Sequence, residues 1–374
     1  MPQRHAAFAS VLLLLVLGGC AEIHETPPDV TFLDVYGSAG VAPRIAPIDP
    51  TDRTPLESCL EAGGSLDVRD AVFNNDQADH GELLRFGISE EGHLAVAGAD
   101  GTLKFWTLER ELLGEVDGSL LTYGEELPAS PITDLVYDGD TVIAGDVRGL
   151  VAQLSIDQGF LPIGGTTPGI EIRSVAFDAT RQRLAHAQVG EGVPSLVVRG
   201  LESGDVWEIG AGVEPRDLAF TPSGRLVVAG ERDGTPFLEV YAADDPSVVE
   251  GGGVELTFLP GRIVELAQAE AGTLVVATDS RLAAFDARAS LQWAADIALP
   301  AEHGPRSVAV TPNGRVAFSV GADGRLLAVS LAEGATLADL ELSDPVAVRV
   351  DATGSIVLVG QRDGWIRAVR CVTP

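Results

Sequence analysis

Residues 305 to 331 read PRSVAVTPNGRVAFSVGADGRLLAVSL. Three apolar, largely β-branched runs, Val308 to Val310, Val316 to Val320 and Leu326 to Val329, are separated by Thr-Pro-Asn-Gly and by Ala-Asp-Gly. Both separators are turn chemistry, so the stretch predicts three short antiparallel strands joined by tight connections. Six further copies surround it. They begin at Leu83 (LLRFGISEEGHLAVAGADGTLKFWTL), Pro131, Glu171, Pro215, Arg262 and Pro345.

The Asp-Gly pairs supply a ruler that does not depend on judging hydrophobicity. Asp100, Asp233, Asp323 and Asp363 are each followed by Gly, and their separations of 133, 90 and 40 residues divide into three, two and one steps of the same size. A period of about 40 to 45 residues with three or four strands per step is that of propeller blades. One blade alone leaves its sheet faces and edges uncovered, so the copies are expected to stack radially into a closed ring. The fold class predicted is an all-β, seven-bladed propeller.

Composition agrees with many turns and few long helices: 43 Gly and 22 Pro among 374 residues, with 45% hydrophobic content to fill a core. The formal net charge of -30, from 25 basic against 55 acidic residues, excludes nucleic acid and anionic lipid headgroups as partners of the domain surface. That charge either only keeps the protein soluble or favours a partner that is basic, neutral or bridged by divalent cations.

The last copy decides how the ring closes. After its third run, Trp365 to Cys371, the chain ends at Pro374 and has no residues for an outer strand, whereas SLDVRDAVF, from Ser65 to Phe73, alternates and precedes the first copy. Placed antiparallel to the last run, it completes the seventh blade and brings Cys59 near Cys371. We therefore predict a Cys59 to Cys371 disulfide, formed in an oxidising compartment.

The N-terminus reads as an export signal. Arg4 and His5 precede the apolar run Phe8 to Leu17, too short to span a bilayer permanently, and Leu17-Gly18-Gly19-Cys20 follows. This ending resembles the bacterial lipobox. The resemblance implies a signal peptide over 1–19, acylation of Cys20 as the first mature residue, and a membrane partner through the lipid. Ala21, where Asp would signal inner-membrane retention, favours the outer membrane, facing the periplasm or the cell surface. Residues 20–58, with Pro27, Pro28, Pro43, Pro47, Pro50 and Pro55, read as a Pro-rich linker. The propeller domain is expected over 59–374.

The copies resemble WD-repeat propellers in SEEGHLAVAGADGTLKFWTL, where Trp106 stands at the family's Trp and Thr107 replaces its Asp. AFDARASLQWAAD, from Ala284, and ESGDVWEI, from Glu202, are similar to the quinoprotein-type repeat. A lipid-anchored propeller of such repeats also resembles the lipoprotein subunit of the outer-membrane barrel-assembly machine, although that family has eight blades. These resemblances imply a fold, and they do not transfer an activity.

Motifs that carry chemistry are few. The sequence holds no Gly-x-Ser-x-Gly, no Gly-x-x-x-x-Gly-Lys and no His-Glu-x-x-His. His24, His80, His93, His186 and His303 are scattered without ligand spacing, so no metal and no cofactor is assigned. Asn74, Asn75, Asp76, Asp79 and Glu82 offer hard oxygens without the fixed spacing of a Ca²⁺ loop, and a solvated loop is the expectation. Trp106, Trp207, Trp293 and Trp365 are expected in blade packing. Arg173, Arg216 and Arg306 recur just ahead of the first run of their copies; they either gather near one channel mouth as an anion site or pair with acidic side chains of neighbouring blades. The function expected is a non-catalytic interaction platform with a protein partner. An enzyme of the quinoprotein, lactonase or lyase kind, or a barrel-assembly accessory, remains the alternative.

Overall fold

The computed structural model describes residues 55–373, apart from 75–81, 109–111, 117–129, 139–140, 156–158, 165–169, 191–194, 211–213, 251–252, 258 and 287–291. The export signal, Cys20, most of the linker, and Asn75, Asp76 and Asp79 of the hydrophilic loop lie outside the described residues. Seven four-stranded antiparallel sheets follow one another at 83–116, 132–164, 171–209, 214–255, 263–298, 305–341 and 345–372, and we number them blades 1 to 7. In blades 1 to 6 the four strands are consecutive in the chain. In blade 7 the outer strand is Ser65–Asn74, paired antiparallel with Trp365–Val372.

The first strand of each blade lies against the first strand of the next, and Leu83–Ile88 of blade 1 lies against Pro345–Val350 of blade 7, so the ring closes. Packing explains why the second strands read as unbroken apolar runs. Val316–Gly321 is buried along its whole length because both of its faces meet neighbouring blades. Val308, Ala317 and Val329 of blade 6 pack on Val275, Leu282 and Ala284 of blade 5. The closing seam has the same apolar character, with Phe86, Leu94 and Val96 of blade 1 against Ala347, Leu358 and Ile366 of blade 7.

The Asp-Gly turns behave as their chemistry requires. Asp100 Oδ1 accepts from the Thr102 amide at 2.9 Å and Asp323 Oδ1 from the Arg325 amide at 3.1 Å, each folding the connection between the second and third strands. Every first strand also carries a β-bulge one or two residues from its start, at Leu84, Thr133, Arg173, Arg216, Val264, Arg306 and Val346. A bulge turns the following side chain out of the regular alternation, and this sets the geometry of the axis described below.

Residues Leu56–Glu61 form a short helix ahead of the closing strand. Leu56 and Leu60 sink among Phe318, Val348 and Val357 at the seam of blades 6 and 7, and the Leu56 amide donates to Gly354 O at 3.0 Å. Glu57 accepts from Asn313 and Glu61 from Arg315. The sequence places Leu56 to Ser58 at the end of the linker; in the fold they are the first turn of this docked helix. The helix carries Cys59 to Cys371, with Cα atoms 6.0 Å apart across a sequence separation of 312 residues and the sulfurs at disulfide distance. Gly64 sits directly over the pair: a Cβ there would fall 2.5 Å from each sulfur.

Two variants test this latch. Cys371→Ser is expected to lower stability by about 2–5 kcal/mol in urea melts, because the crosslink shortens the unfolded chain's longest loop. Gly64→Ala is expected to expose two titratable thiols in the purified protein; a fully oxidised Ala variant would show that the helix can move aside.

Candidate functional site

The residue after each bulge lies on an inner strand, where neighbouring blades meet. Through blades 1 to 7 these residues are Arg85, Asp134, Ser174, Asp217, Glu265, Ser307 and Ala347. Five of them are joined blade to blade. Asp134 Oδ2 accepts from the Val175 amide of blade 3 at 2.9 Å, and Ser174 Oγ donates to Asp217 Oδ1 of blade 4 at 2.7 Å. Asp217 Oδ2 accepts from the Leu266 amide of blade 5 at 2.6 Å. Glu265 Oε2 accepts from Ser307 Oγ at 2.6 Å and from the Val308 amide of blade 6 at 2.7 Å. Ser307 Oγ accepts in turn from the Val348 amide of blade 7 at 3.2 Å.

Blade 7 has Ala347 at this position and supplies charge two residues later. Arg349 Nη1 donates to Glu265 Oε1 at 3.0 Å, and its guanidinium lies 5.9 Å from the centre of the Phe86 ring in blade 1. Arg85 of blade 1 stands at the corresponding position, and its positive charge opposes the rise of the Asp134 pKa. The result is a polar belt hydrogen-bonded from blade 2 through blade 7.

Electrostatics within the belt follow from its composition. Asp134, Asp217 and Glu265 are half-buried and share one axis. Burial, then the neighbouring Asp134 and Glu265 carboxylates, push the Asp217 carboxyl up to about 7 against the hydrogen bonds from Leu266 and Ser174. Burial also raises Asp134, against Arg85, the Val175 amide and Arg349. Burial disfavours the Arg349 charge, but Glu265, Asp134 and Asp217 more than compensate and hold its pKa above the ordinary guanidinium value. Among the described residues no group of three or more His, Cys, Asp or Glu side chains is arranged to hold a metal ion.

The three bulge arginines are engaged with carboxylates. Arg173 meets Glu214 of blade 4 at 3.0 Å; Arg216 meets the same Glu214 at 3.1 Å and Glu231 at 3.2 Å. Arg306 pairs with Asp344, which also receives Arg362 at 2.9 Å, and Arg362 reaches Glu82 of the hydrophilic loop at 3.0 Å. Arg173 and Arg216 thus belong to one ion-pair network and Arg306 to another.

Blade 6 contains a hydrogen-bonded Ser-His-Asp line. His303 Nδ1 lies 3.0 Å from Asp323 Oδ1, and His303 Nε2 lies 3.1 Å from Ser319 Oγ. Neither His303 nor Ser319 has any exposed surface, so no substrate reaches the hydroxyl. Gly321 makes room for the ring, since a Cβ there would fall 2.1 Å from His303 O. The line clamps the loop before the first strand onto the turn after the second. His186 is equally buried in blade 3, 2.7 Å from Gln188, and burial followed by the nearby Arg199 charge pushes it down to about 3. Trp106 is buried, Trp207 packs at the seam of blades 3 and 4, and Trp365 lies 4.9 Å beneath the Arg367 guanidinium. The side chain of Trp293 lies outside the described set.

The belt is the feature that sequence reasoning missed, although a signal for it exists. Aligned on the bulge, the copies read LRF, TDL, RSV, RDL, VEL, RSV and VAV. The middle column is polar in six of seven, in a strand otherwise expected to bury apolar groups. No protein-family model matches this chain, and no curated protein matches it in sequence.

The raised Asp217 pKa gives a pH prediction. Between about pH 4 and pH 7 the folded protein keeps a proton on Asp217 that the unfolded chain has released, so its contribution to stability falls as pH rises through that window. Urea melts across it should show the parent losing up to about 1.4 kcal/mol per pH unit relative to Asp217→Asn. A pH-independent difference between the two would refute the assignment.

Proposed function

We propose that this chain is a non-catalytic lipoprotein of the cell envelope. Acylated Cys20 tethers it to a membrane, in our reading the outer membrane of a Gram-negative cell, and the Pro-rich linker carries the propeller away from the lipid. The propeller's loops are the working surface, presented to another protein. What carries this reading is that the polar groups meeting at the axis are already committed to holding blades together: Asp134, Asp217 and Glu265 each accept from a backbone amide of the next blade. The seven-bladed ring is then a rigid frame, and connections on such frames are where recognition is built.

One observation favours a second reading. A carboxyl titrating near neutrality beside two others is also what proton-transfer chemistry uses, so an axial enzyme of the quinoprotein, lactonase or lyase kind is the competing proposal. The two separate experimentally. Crosslinking of the acylated protein in cells, extraction in mild detergent and mass spectrometry are expected to recover a stoichiometric protein partner, retained by Asp217→Asn and lost from the membrane fraction with Cys20→Ser. Recovery of a barrel-assembly complex would make the chain an accessory of that machine. If no partner is captured and a hydrolase or dehydrogenase activity disappears in Asp217→Asn, the enzyme reading replaces the platform.

A further inference from the structure

The seam between blades 2 and 3 closes differently from its neighbours. Elsewhere the outer strand of a blade tucks apolar side chains into the seam it faces: Trp207 and Ile209 of blade 3 pack toward blade 4, Ile297 of blade 5 toward blade 6, and Leu340 of blade 6 toward blade 7. Between blades 2 and 3 the buried cluster is Ile143, Val151, Ile172, Val175 and Leu184, all on first, second or third strands. Of the described outer-strand side chains only Ile163 packs against it.

Strand register shows how this seam opens. On blade 2, Val136, Ile143, Gln153 and Leu161 stand opposite one another across the four strands. On blade 3, Phe177, Leu184, Arg199 and Val206 do the same. The inner halves of the two rows pack together, Val136 and Ile143 with Phe177 and Leu184, so the rows face each other across the seam. Followed outward they part, because Leu161 is 51% and Val206 47% exposed. Each wall of the gap thus ends in an apolar side chain that the fold leaves uncovered.

Inward of Val206 the wall is cationic. Arg199 is half-buried, its Nε is enclosed without a hydrogen-bond partner, and among the described residues it meets no carboxylate. In the next row of the same sheet face stands His186, wholly buried, opposite Val175 and Val197. Gln188 Nε2 donates to His186 Nε2, which leaves the proton of the neutral ring on Nδ1, and Nδ1 has no acceptor among the described residues. Glu208, exposed and opposite Val197, flanks the pair without bonding to Arg199. A guanidinium between apolar walls whose charge the fold does not neutralise calls for a carboxylate, since water satisfies its donors and leaves the charge.

The geometry points to the gap between the outer halves of blades 2 and 3 as the docking groove for a protein segment that sets one Asp or Glu between aliphatic side chains. The aliphatic groups cover Leu161 and Val206, and the carboxylate meets Arg199 beside the unpartnered His186 ring. The net charge of -30 turns away segments with a run of acidic residues, so the rest of the partner is neutral or basic. This rests on the platform reading and names the groove and the anchor that a partner carries.

The test places a photo-crosslinking amino acid at Leu161 and, separately, at Val206 of the full acylated chain in cells. The expected result is one protein captured from both positions, through a peptide in which an Asp or Glu lies between aliphatic residues. Arg199→Gln should weaken that capture by about tenfold or more, while Arg199→Lys retains most of it, because the first loses a charged hydrogen bond and the second keeps the charge. The Arg199→Gln melting curve should not fall, since no partner within the chain is lost. Adducts unaffected by Arg199→Gln, or a captured peptide without an acidic residue, would overturn the carboxylate chemistry. Adducts joining two copies of this chain would overturn the partner. A protein recovered in mild detergent with no adduct from either position would overturn the groove and leave the platform standing, and no partner by either route would remove both.

Discussion

Closure of the ring depends on one pairing, the Ser65–Asn74 strand against Trp365–Val372. A propeller buries its sheets by stacking each against two neighbours, so an incomplete last blade would weaken the seam it shares with blade 6 and open an edge at the rim. The borrowed strand removes that weakness by tying the start of the domain to its end. The helix Leu56–Glu61 extends the same tie, filling the seam beneath with Leu56 and Leu60 and bringing Cys59 to Cys371. Strand, helix and crosslink thus act at one place, where the topology is weakest.

A second constraint arises where the first strands converge, because the Val175, Leu266, Val308 and Val348 amides, each two residues past a bulge, turn to the preceding blade. Buried amides without acceptors are costly. Asp134, Asp217, Glu265 and Ser307 answer this by each accepting from the next blade. Burial, and then repulsion among the three carboxylates brought together for that purpose, make Asp217 hold its proton to near neutrality, and Arg349 reaches across from blade 7 to Glu265. The perturbed ionisation at the axis therefore has a structural origin, and a site for chemistry is not needed to explain it.

The arginines follow a related logic. In a chain with more than twice as many acidic as basic residues, most guanidiniums near a seam find a carboxylate. Arg173, Arg216 and Arg306 are paired for this reason, and Arg183 is buried among oxygen acceptors. With many cations used inside or between blades, the remaining surface is acidic, and what distinguishes one face from another is where apolar side chains interrupt that charge.

Much of the architecture was legible in the residues themselves. The Asp-Gly spacing set the period, because a tight turn needs particular residues wherever it occurs. The alternating stretch after Cys59 and the missing outer strand at the C-terminus implied both the closure and the cysteine pair, because each blade needs the same number of strands and a missing one can be counted. The polar belt, the Ser-His-Asp clamp of blade 6 and the partners of the three arginines were decided by the tertiary structure alone. Each joins side chains from different blades or turns, such as Asp217 with Ser174 and Leu266, and which groups meet is set by ring geometry and bulges. The sequence determined the wedges and their number; only their assembly around an axis determined which charges face each other.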